Sequence, residues 1–416
     1  MFKQIIATAI LVVGFLMNLL AQSEIEQAIY NNQFETALHL VDQKSATIPL
    51  DQNDYIMAAR CHVALFNFEM AINSYQIALA LNQQNLMALE GLADASINLG
   101  LKENALINYN DMLAIDSLNI RVLGKKAALL SDLNQYSEAE TIYRFLLGKN
   151  NQNPYFYRRM LMAMYKQKKT LEIISEHENR PNYTANDKEV NMMYADSYYK
   201  VGDYKLTLQI TAEILQIDSL YTPALSKAGY IHFTIYRNYE DAVVFYRTLM
   251  RTNKYSDPVY LKNLAICEYF TGNQEFAAPV LDSLITELAD DPIVPFYAGL
   301  SYRKLGNIDR ALELLEYATE MLSMPPYTSD FYHHLGRAYN AKRMYTEALE
   351  AYQMVLKYDD KNVQILYDMA IIHEEYNRNS SVALVFYQQF LNANNGRSTP
   401  DVKYAENRVK RIKEEL

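Results

Sequence analysis

The chain has no tryptophan, two cysteines, 12 glycines and 11 prolines in 416 residues. Each shortage excludes something. Two cysteines, Cys61 and Cys267, rule out a disulfide framework and a cysteine-based zinc site. So few glycines and prolines argue against an all-β protein built from tight turns, and for helices. Positive charge is also short. A net charge of −10 disfavours a nucleic-acid backbone as main partner, because that contact needs a dense basic face. There is no G-x-S-x-G, no G-x-x-x-x-G-K and no H-E-x-x-H, so the familiar seats of catalysis, nucleotides and zinc are missing. Half of the residues are nonetheless apolar and 21% are charged, the balance of a folding chain.

What is present begins with an address. Lys3 precedes a nearly unbroken apolar run, Ile5 to Leu20, and Ala21-Gln22-Ser23 offers a small residue for cleavage. The run is short of the ~20 residues that span a bilayer as a helix, and no later stretch approaches that length. Residues 1–21 therefore read as a signal peptide, and the expected location is the periplasm or the cell envelope. A retained N-terminal anchor is the alternative. No cysteine follows the run, which argues against a lipid anchor. Membrane contact is expected to be indirect only.

The main signal is repetition. An aromatic residue stands three positions before an alanine in Phe34–Ala37, Phe68–Ala71, Tyr136–Ala139, Tyr239–Ala242 and Tyr345–Ala348. Weaker copies centre on Ala105, Ile173, Thr207, Ala277, Ala311 and Ala383. The marks at 37, 71, 105, 139, 173 and 207 are spaced by 34, and the later steps are 35, 35, 34, 37 and 35. Twelve residues before most marks lies a small residue: Ala59, Ala93, Ala127, Ala195, Ala265, Gly299 or Gly336. Small side chains at both places let two helices approach closely. Five before the mark stands Gly100, Gly202, Gly272 or Gly306, or else Asn32 or Asn134, the residues that best end a helix at positive φ. Asn153-Pro154, Thr222-Pro223, Asp257-Pro258 and Asp291-Pro292 read as N-cap followed by N1 proline. Each unit is thus helix, tight turn, helix, short turn.

This pattern resembles the tetratricopeptide repeat. Its best copy is Tyr332, Leu335, Gly336, Tyr339, Tyr345, Ala348, Tyr352 and Leu356, with Tyr where the family uses Trp and Phe. Residues 22–395 would form the repeats, and 399–416 a capping helix carrying Tyr404, Ala405, Val409 and Ile412 on one stripe. The fold expected is all-α: a right-handed superhelical solenoid of about ten to eleven helix–turn–helix repeats. A break is expected near 168–186, where Ile173 replaces the marker alanine and Glu176-His177-Glu178-Asn179-Arg180-Pro181 follows. The lengthened step before Ala348 is assigned to Met324-Pro325-Pro326. Tyr75, Tyr109, Tyr143 and Tyr352, four after the mark, and Tyr198, Tyr302 and Tyr339, nine before it, read as core. His62, His232 and His373 read as packed or half-buried rings, and adjacent His333 and His334 do not form a metal pair.

The resemblance implies that first helices line a groove. Its contact places carried over here are Arg60, Tyr155, Arg158, Tyr165, Lys166, Asp196, Tyr199, Lys200, Lys262, Tyr269, Phe270, Phe296, Arg303, Lys304, His333, Arg337 and Asn340. Cations beside aromatic faces suit a peptide that carries carboxylates. The chaperone-type carboxylate clamp is absent, because Lys262 is followed by Ile266 where that clamp needs Asn. The expected function is a non-catalytic scaffold or adaptor that binds a protein or peptide, without cofactor or metal. The Tyr- and Asn-rich composition resembles exported tetratricopeptide proteins of bacterial envelopes, which implies a role in assembling or maintaining an envelope complex. A module for a glycan or cell-wall fragment is the alternative.

Overall fold

The computed structural model describes residues 21–149, 153–179, 184–252, 257–321, 327–395 and 397–415. Residues 1–20 of the expected signal peptide, Arg180-Pro181 and Met324-Pro325-Pro326 lie outside them. All regular secondary structure among the described residues is helical. The chain divides into two compact units, Met1–Leu206 and Thr207–Leu416, within the helix Tyr204–Ile217. That division lies C-terminal to the 168–186 region.

In the first unit, antiparallel hairpins follow one another: Gln52–Ala64 with Phe68–Leu81, Leu86–Asn98 with Lys102–Ile115, Ile120–Asp132 with Tyr136–Lys149, and Pro154–Lys166 with Thr170–Glu178. Asp51, Asn85, Asn119, Asn153 and Asp187 open first helices by accepting backbone N–H bonds on their side chains. The second unit repeats the arrangement with Pro258–Phe270 and Gln274–Leu284, Ile293–Lys304 and Ile308–Glu320, and Thr328–Ala341 and Tyr345–Tyr358. Two starts differ from the expected cap by one residue. Thr222 is already helical behind Tyr221, and Pro292 itself caps while Asp291 accepts from the Ile293 N–H at 3.0 Å. The terminal helix Pro400–Glu415 buries Val402, Ala405 and Ile412 against the helix Ser380–Ala393, and its Arg408 pairs with Glu374. It is the cap the sequence implied.

The repeat marks are all interior. Every marker alanine, Ile173 and Thr207 are buried, as are the small residues from Ala59 to Gly336. At Gly336 the reason is direct: a Cβ there would meet the Tyr352 ring at 2.4 Å. The tyrosines four after each mark fill the space between helices, and Tyr246 and Tyr387 join the four that the sequence singled out. Tyr302 and Tyr339 are only half buried, and their hydroxyls donate to Asp282 at 3.1 Å and to Glu316 at 2.6 Å. Tyrosine thus replaces tryptophan as a buried ring with a tethered polar end.

The truest clock is a backbone angle. The residue five before each of the eleven marks has positive φ, and no other described residue does. Gly and Asn supply six of these positions, as expected. Phe66, Lys168, Arg237, Arg343 and Arg378 supply the rest against their own preference, because the helix-ending bond geometry requires it. Lys168→Gly should therefore raise stability by about 0.5–1 kcal/mol, measured by denaturant unfolding; Lys168 is exposed, so no packing is lost.

Two of the longer steps have a structural cause. The first helix Thr222–Tyr230 continues as a π turn, Ile231–Tyr236, and Gln364–Ile371 continues as Ile372–Tyr376. Each closes with an N–H to C=O bond from Asn238 to His232 or from Asn379 to His373, one residue longer than the bond from Asn67 to His62 in an ordinary repeat. The extra residue in the steps ending at Ala242 and Ala383 is housed in that turn. His232 stacks on Phe245 and His373 on Phe386, each with ring centroids 5.4 Å apart. His62 is half buried, so the packed reading of these histidines holds.

Candidate functional site

The two units treat their first-helix charges differently. In the first unit Lys125 and Arg158 are answered locally. Lys125 bonds Glu90 at 2.9 Å and Asp94 at 3.0 Å, and Arg158 bonds Asp187 at 2.8 Å and Glu189 at 3.1 Å. The Tyr165 hydroxyl donates to Asp196 at 2.9 Å, while the Lys200 ammonium lies 4.4 Å above its ring. Tyr199 meets Tyr204 edge-on at 5.5 Å. Tyr155 and Lys166 are exposed, and Arg60 borders a cleft of about 450 Å³ with Tyr30, Ile56, Met57 and Met87. Arg158 belongs to the repeat-to-repeat stitching, so its charge is already spent on its own chain. Cys61 and Cys267 are free and buried, and burial pushes their thiols up to about 11 and about 12.

In the second unit Lys262 is likewise held by Asp291 at 2.6 Å. Phe296, expected on the groove, is a core residue whose ring lies parallel to Phe331 at 3.8 Å. Phe270 is half exposed and stacks on Tyr239 at 4.1 Å. The remaining candidates come together. Arg303 and Lys304 end the helix Ile293–Lys304, and His333, Arg337 and Asn340 project from the following first helix, Thr328–Ala341. Lys304 sits 3.9 Å above the buried ring of Tyr269. Arg303 directs a guanidinium nitrogen at His334 Nδ1, 3.4 Å away, and its Nε is buried with no acceptor. Among the described residues none of Arg303, Lys304 and Arg337 forms an ion pair.

At Arg303 and Lys304 no carboxylate offsets the cost of burial. Burial, and then the neighbouring Arg337, lowers the pKa of Arg303; burial and then Arg303 lower that of Lys304. His333 is lowered by burial and by Arg337, and His334 is pushed down to about 3 by burial, then Arg303. The two imidazoles are stacked, 5.5 Å between centroids, and neutral at physiological pH. Such a cluster of cations with neutral hydrogen-bonding rings can receive an anion. Among the described residues no group of three or more His, Cys, Asp or Glu is arranged to hold a metal, and no helix is long and apolar enough to cross a membrane.

Asp368, on the next first helix, was not among the sequence candidates. Burial lifts its carboxyl to about 6 against the pull of Arg337. A raised carboxyl favours the folded state when protonated, so this contribution is full below the unfolded value near 3.8 and is lost as pH rises through about 6. Asp368→Asn should therefore stabilise the chain by about 1–3 kcal/mol at about pH 7.5 and change little near pH 4, checked by thermal melts at both. His334 and Asp368 were both legible as the residues 31 places after Arg303 and Arg337. That is the separation of Tyr165 from its partner Asp196.

Residues 298–362 match the tetratricopeptide repeat family. No match is found among curated proteins. Among solved structures, the chain is similar to a tetratricopeptide protein, YrrB, described as having an unusual peptide-binding site, at 18% identity over 48% of this chain and 96% of that one, TM-score 0.40. It is also similar to Cut9-Hcn1 of the APC/C hetero-tetramer, 13% identical over 93% and 95% of the two chains, TM-score 0.42. Yeast Tom70 is 13% identical over 95% and 96%, TM-score 0.37. At TM-scores below 0.5 none of these likenesses brings a partner or a function to this chain.

Proposed function

We propose that the chain is a non-catalytic scaffold that captures a protein partner, and that capture occurs on the first-helix face of the second unit. The observation that carries this reading is the set Arg303, Lys304 and Arg337, three cations without a carboxylate of their own, Lys304 over the Tyr269 ring and Arg303 against His334. A fold could neutralise these places as it neutralises Arg158 and Lys262. Charges left open on a repeat surface are a binding surface in search of an acidic counterpart. The tandem helical hairpins support the same class of function, since each presents its first helix in register with the next. The leader-like segment supports export, and with it a role in assembling or maintaining a cell-envelope complex.

Crosslinking in living cells, with mass spectrometry of the recovered complex, tests the proposal. The expected result is a protein crosslinked through Lys304 in an envelope fraction. Recovery of a cell-wall fragment without protein would instead favour a glycan-binding module. A mature form confined to the cytoplasm would remove the export part of the reading.

A further inference from the structure

Arg158 and Lys262 are held by carboxylates of the next repeat, and Arg303 is not. The Arg303 Nε is a charged donor sealed from solvent with no acceptor among the described residues, where the guanidinium's one hydrogen-bonding neighbour is His334 Nδ1. Buried donors in folded proteins are overwhelmingly paired, so an orphan on a charged group marks a missing acceptor. Arg337 stands one repeat on, exposed and unpaired. Asp368 feels the Arg337 charge but makes no ion pair with it. The Tyr269 and Tyr352 hydroxyls both sense the two guanidinium charges.

We infer that the surface between Arg303 and Arg337 is a seat for a carboxylate group presented by a bound peptide, an inference that rests on the scaffold reading above. A carboxylate is acceptor-only and planar, so it can satisfy a guanidinium fork through two parallel bonds. It also supplies one negative charge. A doubly charged phosphoryl group would have to settle beside Asp368, which repels it. The stacked His333 and His334 rings supply neutral walls that can donate or accept as the peptide requires. The seat differs from a lysine–asparagine clamp because its charges come from two arginines, on successive first helices.

The test uses the purified chain with histidine resonances followed by NMR. The probes are N-acetyl-diglutamate amide, N-acetyl-diglutamine with a free C-terminal carboxylate, N-acetyl-diglutamine amide and inorganic phosphate. The diglutamate is expected to shift the His333 and His334 signals, and the free-acid diglutamine shifts them too if a C-terminal carboxylate fills the seat. Arg337→Gln should weaken binding by about tenfold or more, while Arg158→Gln leaves it unchanged. Arg337→Lys keeps the charge without the fork and should restore only part of the affinity, which separates recognition from folding. Equal binding of the uncharged amide, equal loss in Arg158→Gln, or phosphate binding tighter than diglutamate would each overturn the inference. So would histidine signals that ignore every carboxylate. If the diglutamate binds as expected but cells yield no crosslinked protein at this face, the seat stands and the scaffold reading fails.

Discussion

Replacing Asp54 by Ala should cost about 3–5 kcal/mol, the largest single loss expected in the first unit. Asp54 and Lys44 form an ion pair at 2.7 Å with side chains 0% and 1% exposed. The same carboxylate accepts the backbone N–H of Asp51 at 2.9 Å, while Asp51 caps the helix by accepting from the Asp54 N–H at 3.0 Å. Removing Asp54 therefore strands a buried ammonium and opens a capping box in one step. A stack of repeats responds locally. Hydrogen exchange should rise first in Phe34–Ser45 and Gln52–Ala64, and denaturant unfolding should gain an early phase. The double change Lys44→Met with Asp54→Leu should recover most of the loss, because it removes the charge together with its partner. Unaltered stability of Asp54→Ala would mean the pair contributes little in solution.

The second large effect is functional. Arg303→Glu with Arg337→Glu should weaken partner capture by about a hundredfold or more, since two charge-assisted contacts become two repulsions. Folding should survive. Arg337 is exposed, and Arg303 has no carboxylate to lose, so far-UV dichroism and the melting temperature should stay close to those of the parent chain. Arg158→Glu is the informative opposite: it breaks bonds to Asp187 and Glu189, so it should lower stability while leaving capture intact. Retained capture in the double variant would remove the cation face from the account.

The fold was legible because its constraints are local and repeated. A marker alanine is conspicuous when it returns every 34 residues, and Gly100 or Asn134 announces the end of a helix by residue type alone. Phe66, Lys168, Arg237, Arg343 and Arg378 take the same backbone angle without any such signature, because neighbouring turns fix them there. The π turns were visible only as a step one residue too long. The binding face was less legible for a different reason. Residue type and a seat on a first helix put Arg158, Lys262, Arg303 and Arg337 in one class, and what separates them is the partner about 29 to 31 residues away. Arg158 finds Asp187 and Lys262 finds Asp291, whereas Arg303 finds His334. Phe296 shows the same limit: a half-turn of helix decides between groove and core, and the ring of Phe331 settles it.

The central claim is that an acidic protein partner docks on the first-helix face of the second unit. Site-specific photocrosslinking in cells tests it most directly, with the reactive side chain placed at Asn340 on that face or at exposed Val244 on a second helix. The account predicts a discrete crosslinked partner from Asn340, lost when Arg303 and Arg337 are reversed in charge, and none from Val244. A partner crosslinked from Val244 and not from Asn340, or one unaffected by the charge reversal, would contradict it.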